Sequence, residues 1–98
     1  MKLKEKVVCA DGFTMSVQAH AGAYCLPKMT DAPVYLKVEV GFPNIEEPLL
    51  MKWAEEADKP TDTVYGWVPV RVVTYVIAKH GGIVSGEVPR GVIPLEAS

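Results

Sequence analysis

Ninety-eight residues supply one domain's worth of chain, close to the usual domain size of about 100–150 residues. Hydrophobic residues are 49 % and charged residues 22 %, which excludes wholesale disorder and a collagen-like chain. Ten Lys and Arg against twelve Asp and Glu leave a net charge of −2, and Lys28, Lys37, Lys52, Lys59 and Lys79 are scattered, so the basic face of a nucleic-acid module is not expected.

Only Lys2, Lys4 and Lys6 cluster, on a terminus expected to fray. No apolar run approaches the roughly 20 residues that span a membrane, so no membrane partner is expected. No apolar stretch follows Met1–Lys6, so no secretory signal is expected either. A reducing cytoplasm is the compartment this implies, with Cys9 and Cys25 as buried apolar thiols.

Lys4–Ala10 has strand character around Val7-Val8-Cys9. Asp11-Gly12 follows, a dipeptide suited to a tight hairpin because both turn residues take positive φ. Phe13–Ala19 then alternates. Phe13, Met15, Val17 and Ala19 share one side, with Thr14, Ser16 and Gln18 on the other, as in a half-buried strand. Residues 20–33 have no period and contain Gly22, Pro27, Asp31 and Pro33, which predicts a long loop of the kind often tied to function. Its apolar stretch Ala23–Pro27 is expected to dock on the body. Val34–Val40 alternates again, placing Val34, Leu36, Val38 and Val40 inward and Tyr35, Lys37 and Glu39 outward.

Glu47-Pro48 reads as a helix start, with proline at the first position and acids near the positive dipole end. Leu50, Trp53, Ala54 and Ala57 form one apolar stripe before Lys59-Pro60 stops it. Val64–Val68 is a short strand whose Gly66 marks a bulge or a close backbone approach. Pro69–His80 is rich in β-branched residues with poor helix propensity, yet Val70, Val73, Val76 and Ile77 keep helical spacing. Gly81-Gly82 adds a left-handed stop. Ile83–Val84 is a short edge strand, and residues 86–98 are an irregular tail. The order predicts a single α+β domain over residues 1–98. It has an N-terminal β-hairpin and an antiparallel sheet of about four strands, with two helices packed on one face.

Catalytic groups do not assemble by spacing. Cys9, His20, Cys25 and His80 lack the close ligand pairs of a zinc site, so neither metal nor other cofactor is expected. Nothing brings Cys25 and His80 together as a thiolate–imidazole pair, and an apolar setting makes a thiol inert. Glu46-Glu47 and Glu55-Glu56 are neighbours that point to different sides of a helix. No glycine-rich phosphate loop is present. An enzyme is therefore not expected.

What remains is a set of hydrogen-bonding and aromatic residues outside the core pattern: Ser16, Gln18, Tyr24, Tyr35, Tyr65, Trp67 and Arg71, of which all but Tyr35 are candidate site residues. Tyr65 and Trp67 are expected on one side of their strand, before the helix start that carries Arg71. Rings beside a guanidinium suit a planar base with a phosphate. Ordinary packing, over the second face of the sheet or in a dimer contact, is the other reading.

The strings Gly12-Phe13-x-Met15-Ser16-Val17-Gln18-Ala19, Tyr24-Cys25-x-Pro27, Val38-Glu39-Val40-Gly41-Phe42-Pro43 and Val64-Tyr65-Gly66-Trp67-Val68-Pro69 resemble those of small uncharacterised bacteriophage proteins. The resemblance covers most of the chain and implies the cytoplasm of a bacterial host. Small phage proteins of this size include sponges that sequester a nucleotide signal of host immunity, and adaptors that bind a host protein.

The expected function is non-enzymatic: a homo-oligomeric protein that binds and sequesters a nucleotide-derived small molecule. Tyr24, Tyr65 and Trp67 would stack on the base, Arg71 would pair with phosphate, and Ser16 and Gln18 would bond ribose or base edges. One alternative is a protein-interaction module that binds and inhibits a host protein, with the same aromatics as anchors. Another is a small structural phage protein.

Overall fold

A computed structural model describes residues 2–98. Its strands are β1 (Val7–Cys9), β2 (Thr14–Gln18), β3 (Lys37–Gly41), β4 (Val64–Pro69) and β5 (Ile83–Ser85). One α-helix, α1 (Val70–Lys79), and one 3₁₀ turn, Met51–Trp53, complete the regular structure. The α+β class stands, with five strands rather than four and one helix rather than two.

The strands form one sheet in the order β4-β3-β2-β1-β5, and each ladder is antiparallel. The Asp11-Gly12 turn closes the hairpin, but of the two residues expected at positive φ only Gly12 adopts it, at 93°, with its N–H bonded to the Cys9 carbonyl across Ala10 and Asp11. β2 follows its alternation as far as Val17: Phe13, Met15 and Val17 are buried and Thr14 and Ser16 half-buried, but Gln18, expected on the polar side, is buried and Ala19 is half-buried. β4 and β5 lie at opposite edges, so α1 carries the chain from one edge of the sheet to the other. Val73, Val76 and Ile77 of α1 join Val7, Met15, Val38 and Val68 in one buried cluster.

α1 ends as its sequence predicts. Gly82 N–H bonds the Ile77 carbonyl and Gly81 N–H bonds that of Ala78, both glycines having positive φ. This Schellman arrangement satisfies carbonyls that the helix itself leaves free.

The helix expected over residues 47–59 is absent. Leu50, Met51, Trp53 and Ala54 each donate to the carbonyl three residues back, so the chain turns too tightly for an α-helix. At Ala54 it becomes extended and bridges Tyr65, and Glu55 N–H bonds the Val64 carbonyl. The segment thus covers the outer edge of β4. Of the expected stripe, only Leu50 is fully buried and Ala57 is exposed. Pairing with a free strand edge outweighs a weak helical propensity.

The alternation expected over 34–40 breaks at its first half. Val38 and Val40 are buried as expected, but Tyr35 is inside while Val34 and Leu36 are exposed. Leu36 and Lys37 both direct their N–H groups at the Leu26 carbonyl, at 2.8 and 3.3 Å. Two consecutive residues opposite one acceptor insert an extra residue and reverse the facing of everything before it.

Candidate functional site

β3 and β4 pair Val38 with Val68 and Val40 with Tyr65, so β4 holds one residue more than its partner between the two points. That bulge falls at Gly66-Trp67, and Trp67 has a φ of 53°. Its effect is to turn Tyr65 and Val68 inward and Trp67 outward. Tyr65 and Trp67 therefore do not share a side. The Tyr65 ring is fully buried, and its hydroxyl donates to the Pro60 carbonyl at 2.6 Å. It belongs to the core, and the expected platform of three rings reduces to Tyr24 and Trp67.

Those two rings do meet. Their centroids are 4.9 Å apart with planes inclined by 23°, within the range of favourable stacked pairs. Trp67 N–H donates to the Tyr24 carbonyl, and Tyr24 N–H donates to Oε1 of Glu39. Gly66 lets the pair approach: a Cβ there would lie 3.2 Å from Cβ of Tyr24. Lys28 Nζ stands 6.0 Å from the centre of the Tyr24 ring. Backbone bonds extend the junction, since Leu36 N–H reaches the Leu26 carbonyl and Val70 N–H reaches the Leu36 carbonyl. Tyr24, Leu26, Leu36 and Trp67 are 36, 46, 60 and 45 % exposed. Four large apolar residues on segments joined by these backbone bonds thus remain open to solvent.

The other expected site residues lie elsewhere. Gln18 is buried and forms a two-way bridge to Lys4, its Oε1 accepting from Lys4 N–H and its Nε2 donating to the Lys4 carbonyl. Nε2 also donates to the Ser16 hydroxyl. Ser16 and Gln18 therefore secure the N-terminal segment against β2. Arg71 borders an apolar groove of about 240 Å³ with Val70, Tyr75 and Ile93, apart from both rings. The six residues do not line one hollow.

A cavity of about 260 Å³ does form where the N-terminal segment, the 20–33 loop and the tail meet. Lys2, Lys4, Gln18, His20, Asp31 and Arg90 are among its lining residues. It holds three of the chain's ten Lys and Arg but one of its twelve acids. Among the described residues, none of these three cations makes a salt bridge. The Tyr35 hydroxyl holds the loop wall, donating to the Met29 carbonyl at 2.6 Å and accepting from Ala32 N–H. Tyr35 N–H donates to the Arg90 carbonyl and so fixes the tail beside it. The lysine cluster was legible in the sequence, but its convergence with Arg90 was not.

A third arrangement had no signal in the sequence. His80 is buried, with Nδ1 2.6 Å from Asp11 Oδ2 and Nε2 2.7 Å from Glu47 Oε1. Each ring nitrogen thus lies within hydrogen-bond distance of a carboxylate oxygen, and the two carboxylates hold the ring from opposite ends. Phe13 stacks on it at 4.0 Å. Burial pushes the Glu47 carboxyl up, but donors from Leu49 N–H, His80 and Lys79 outweigh this and hold it below its ordinary value. Asp11 is lowered by Phe13 N–H first and by His80 second. The cluster resembles a catalytic relay, yet both ring nitrogens are taken by carboxylates and, among the described residues, no side-chain nucleophile is hydrogen-bonded to the ring. Its work is to bind the hairpin turn, the 47–50 turn and the C-terminus of α1 together. Burial raises the Cys9 thiol, with Asp11 adding to the effect, so that cysteine is a weak nucleophile.

No protein-family model, curated protein or solved structure matches this chain. The functional reading therefore rests on the geometry.

Proposed function

We propose that the protein is a non-enzymatic interaction module that grips a partner protein through the ledge of Tyr24, Trp67, Leu26 and Leu36. The observation that carries this reading is the conformation of Trp67. A non-glycine residue at φ 53° costs on the order of 1–2 kcal/mol. Here that strain holds a large ring out in solvent against a second ring, on a strand whose neighbouring segments carry two exposed leucines. Tyr and Trp are the side chains that dominate protein–protein hot spots. The ledge borders none of the three cavities described by their lining residues, whereas small-molecule sites are concave. Exposed aromatic and leucine side chains of this kind suit a protein surface better than a nucleotide-derived ligand.

The test is affinity capture from bacterial lysate with the wild-type protein and Trp67→Ala, each checked for native circular dichroism. A stoichiometric protein retained by the wild type and lost by the variant supports the proposal. Equal capture by a folded Trp67→Ala protein refutes it. Light scattering of both proteins separates a heterologous partner from a second copy of the chain.

A further inference from the structure

We propose that the cavity lined by Lys2, Lys4 and Arg90 binds a phosphate-bearing small molecule, with the phosphate group seated among the three cations. This goes beyond the interaction ledge and does not depend on it.

The argument begins with charge. The chain as a whole is acidic, yet this one concavity gathers Lys2, Lys4 and Arg90 against Asp31. Like charges converging in a hollow repel one another, and the concave shape focuses their field. Such an arrangement is stabilised by an anion. The cations exceed the single lining carboxylate by two. A phosphate monoester carries about −1.5 to −2 at neutral pH and matches that excess, while a single carboxylate leaves one cation unanswered.

The residue types agree with the charge count. Arginine forms a planar fork that meets phosphate oxygens in pairs, and lysine adds compact point charges. Thr30 also lines the cavity and carries a hydroxyl donor. His20 accepts from Gly22 N–H at Nδ1, so its proton is on Nε2, which is left to donate.

The cavity is also built rather than incidental. Gln18 clamps the Lys4 backbone from both sides of its amide, and in an extended segment Lys2 falls on the same side as Lys4. Arg90 is fixed through its carbonyl by Tyr35 N–H, and the opposite wall by the Tyr35 hydroxyl. The volume, about 260 Å³, lies below the roughly 300–1,000 Å³ that encloses a drug-sized ligand. It suits a free phosphate, or the phosphate end of a larger molecule whose remainder stays outside.

The experiment is a titration of isotopically labelled protein followed by amide chemical shifts, at constant ionic strength. The probes are inorganic phosphate, pyrophosphate, adenosine monophosphate and malonate. Saturable shifts confined to residues 2–4, 18–32 and 90 are expected with the phosphates, weakening as salt rises. Arg90→Gln should weaken binding by about tenfold or more, while Lys59→Gln, which alters an exposed lysine outside the cavity, should leave it unchanged. Tighter binding of the nucleotide than of inorganic phosphate identifies an ester as the ligand, and equal binding identifies the free anion; both support the site. Shifts that never saturate overturn the proposal. So does an unaltered affinity in a folded Arg90→Gln protein, or malonate binding as tightly as pyrophosphate.

Discussion

Nε2 of His80 lies 2.7 Å from Oε1 of Glu47, two side chains almost sealed from solvent and brought together from distant parts of the chain. Without the ring, the buried Glu47 carboxylate keeps Lys79 and Leu49 N–H but loses one of the partners that offset its desolvation. His80→Ala should therefore destabilise the protein by about 1–3 kcal/mol. Urea unfolding near neutral pH measures this, and a loss below about 1 kcal/mol would show the cluster to be dispensable.

Acid should dismantle the same cluster. Asp11 and Glu47 are both held below their ordinary values in the folded protein. A carboxylate depressed in this way contributes stability above its unfolded pKa and loses it as pH falls through the folded value. Unfolded carboxylates titrate near pH ~4, so the contribution should be complete above about pH 5.5 and decline below about pH 4.5. The urea midpoint should drop over that range, and Glu47→Gln should flatten the dependence. Parallel curves for the two proteins would contradict the assignment.

Trp67→Gly sets two effects against each other. It relieves about 1–2 kcal/mol of left-handed strain and forfeits about 0.5–1.5 kcal/mol of ring stacking. Stability should therefore change by less than about 1 kcal/mol, while partner capture is lost. A large destabilisation would mean that the indole is a packing residue after all.

Tyr65→Phe should behave in the opposite way. It strips the Pro60 carbonyl of its donor, at a cost of about 1–2 kcal/mol, and should leave partner capture and anion binding untouched. Thermal denaturation beside the two binding measurements decides the matter.

Gly91→Ala probes the tail. Gly91 has a φ of 113°, and a Cβ there would overlap the Tyr35 carbonyl oxygen. The substitution should push Arg90 away from the cavity and weaken phosphate binding together with stability. Arg90→Gln should weaken binding alone. If Gly91→Ala bound phosphate normally, the tail's hold on Tyr35 would be irrelevant to the site.

How much of this was readable from residue order depended on the range of the contacts involved. The hairpin, the β2 alternation as far as Val17 and the Gly81-Gly82 stop follow from neighbours a few residues apart, and the structure shows all three. The failed helix after Pro48 was a local propensity overruled by the exposed edge of β4. Single extra residues at Leu36-Lys37 and Gly66-Trp67 reversed the facing of Tyr35 and separated Trp67 from Tyr65. A period-two pattern carries no mark of such insertions, although Gly66 was read as a bulge or a close approach. Of the expected site residues, Tyr24 and Trp67 were legible as outward rings. The meeting of Lys4 with Arg90, and of Asp11 with Glu47 and His80, spans too much chain for spacing to show it.

The crossover of α1 from β4 to the far edge has a consequence for how the protein is made. β5 is the strand that pairs with the outer side of β1, and it follows β4 and α1 in the chain. While the nascent polypeptide lengthens, the hairpin can close at once, but its outer rim stays open until Ile83–Ser85 has cleared the ribosome. Through that interval the unfinished sheet exposes a bare strand to its surroundings, so early termination before residue 83 should yield a sticky fragment rather than a smaller native fold.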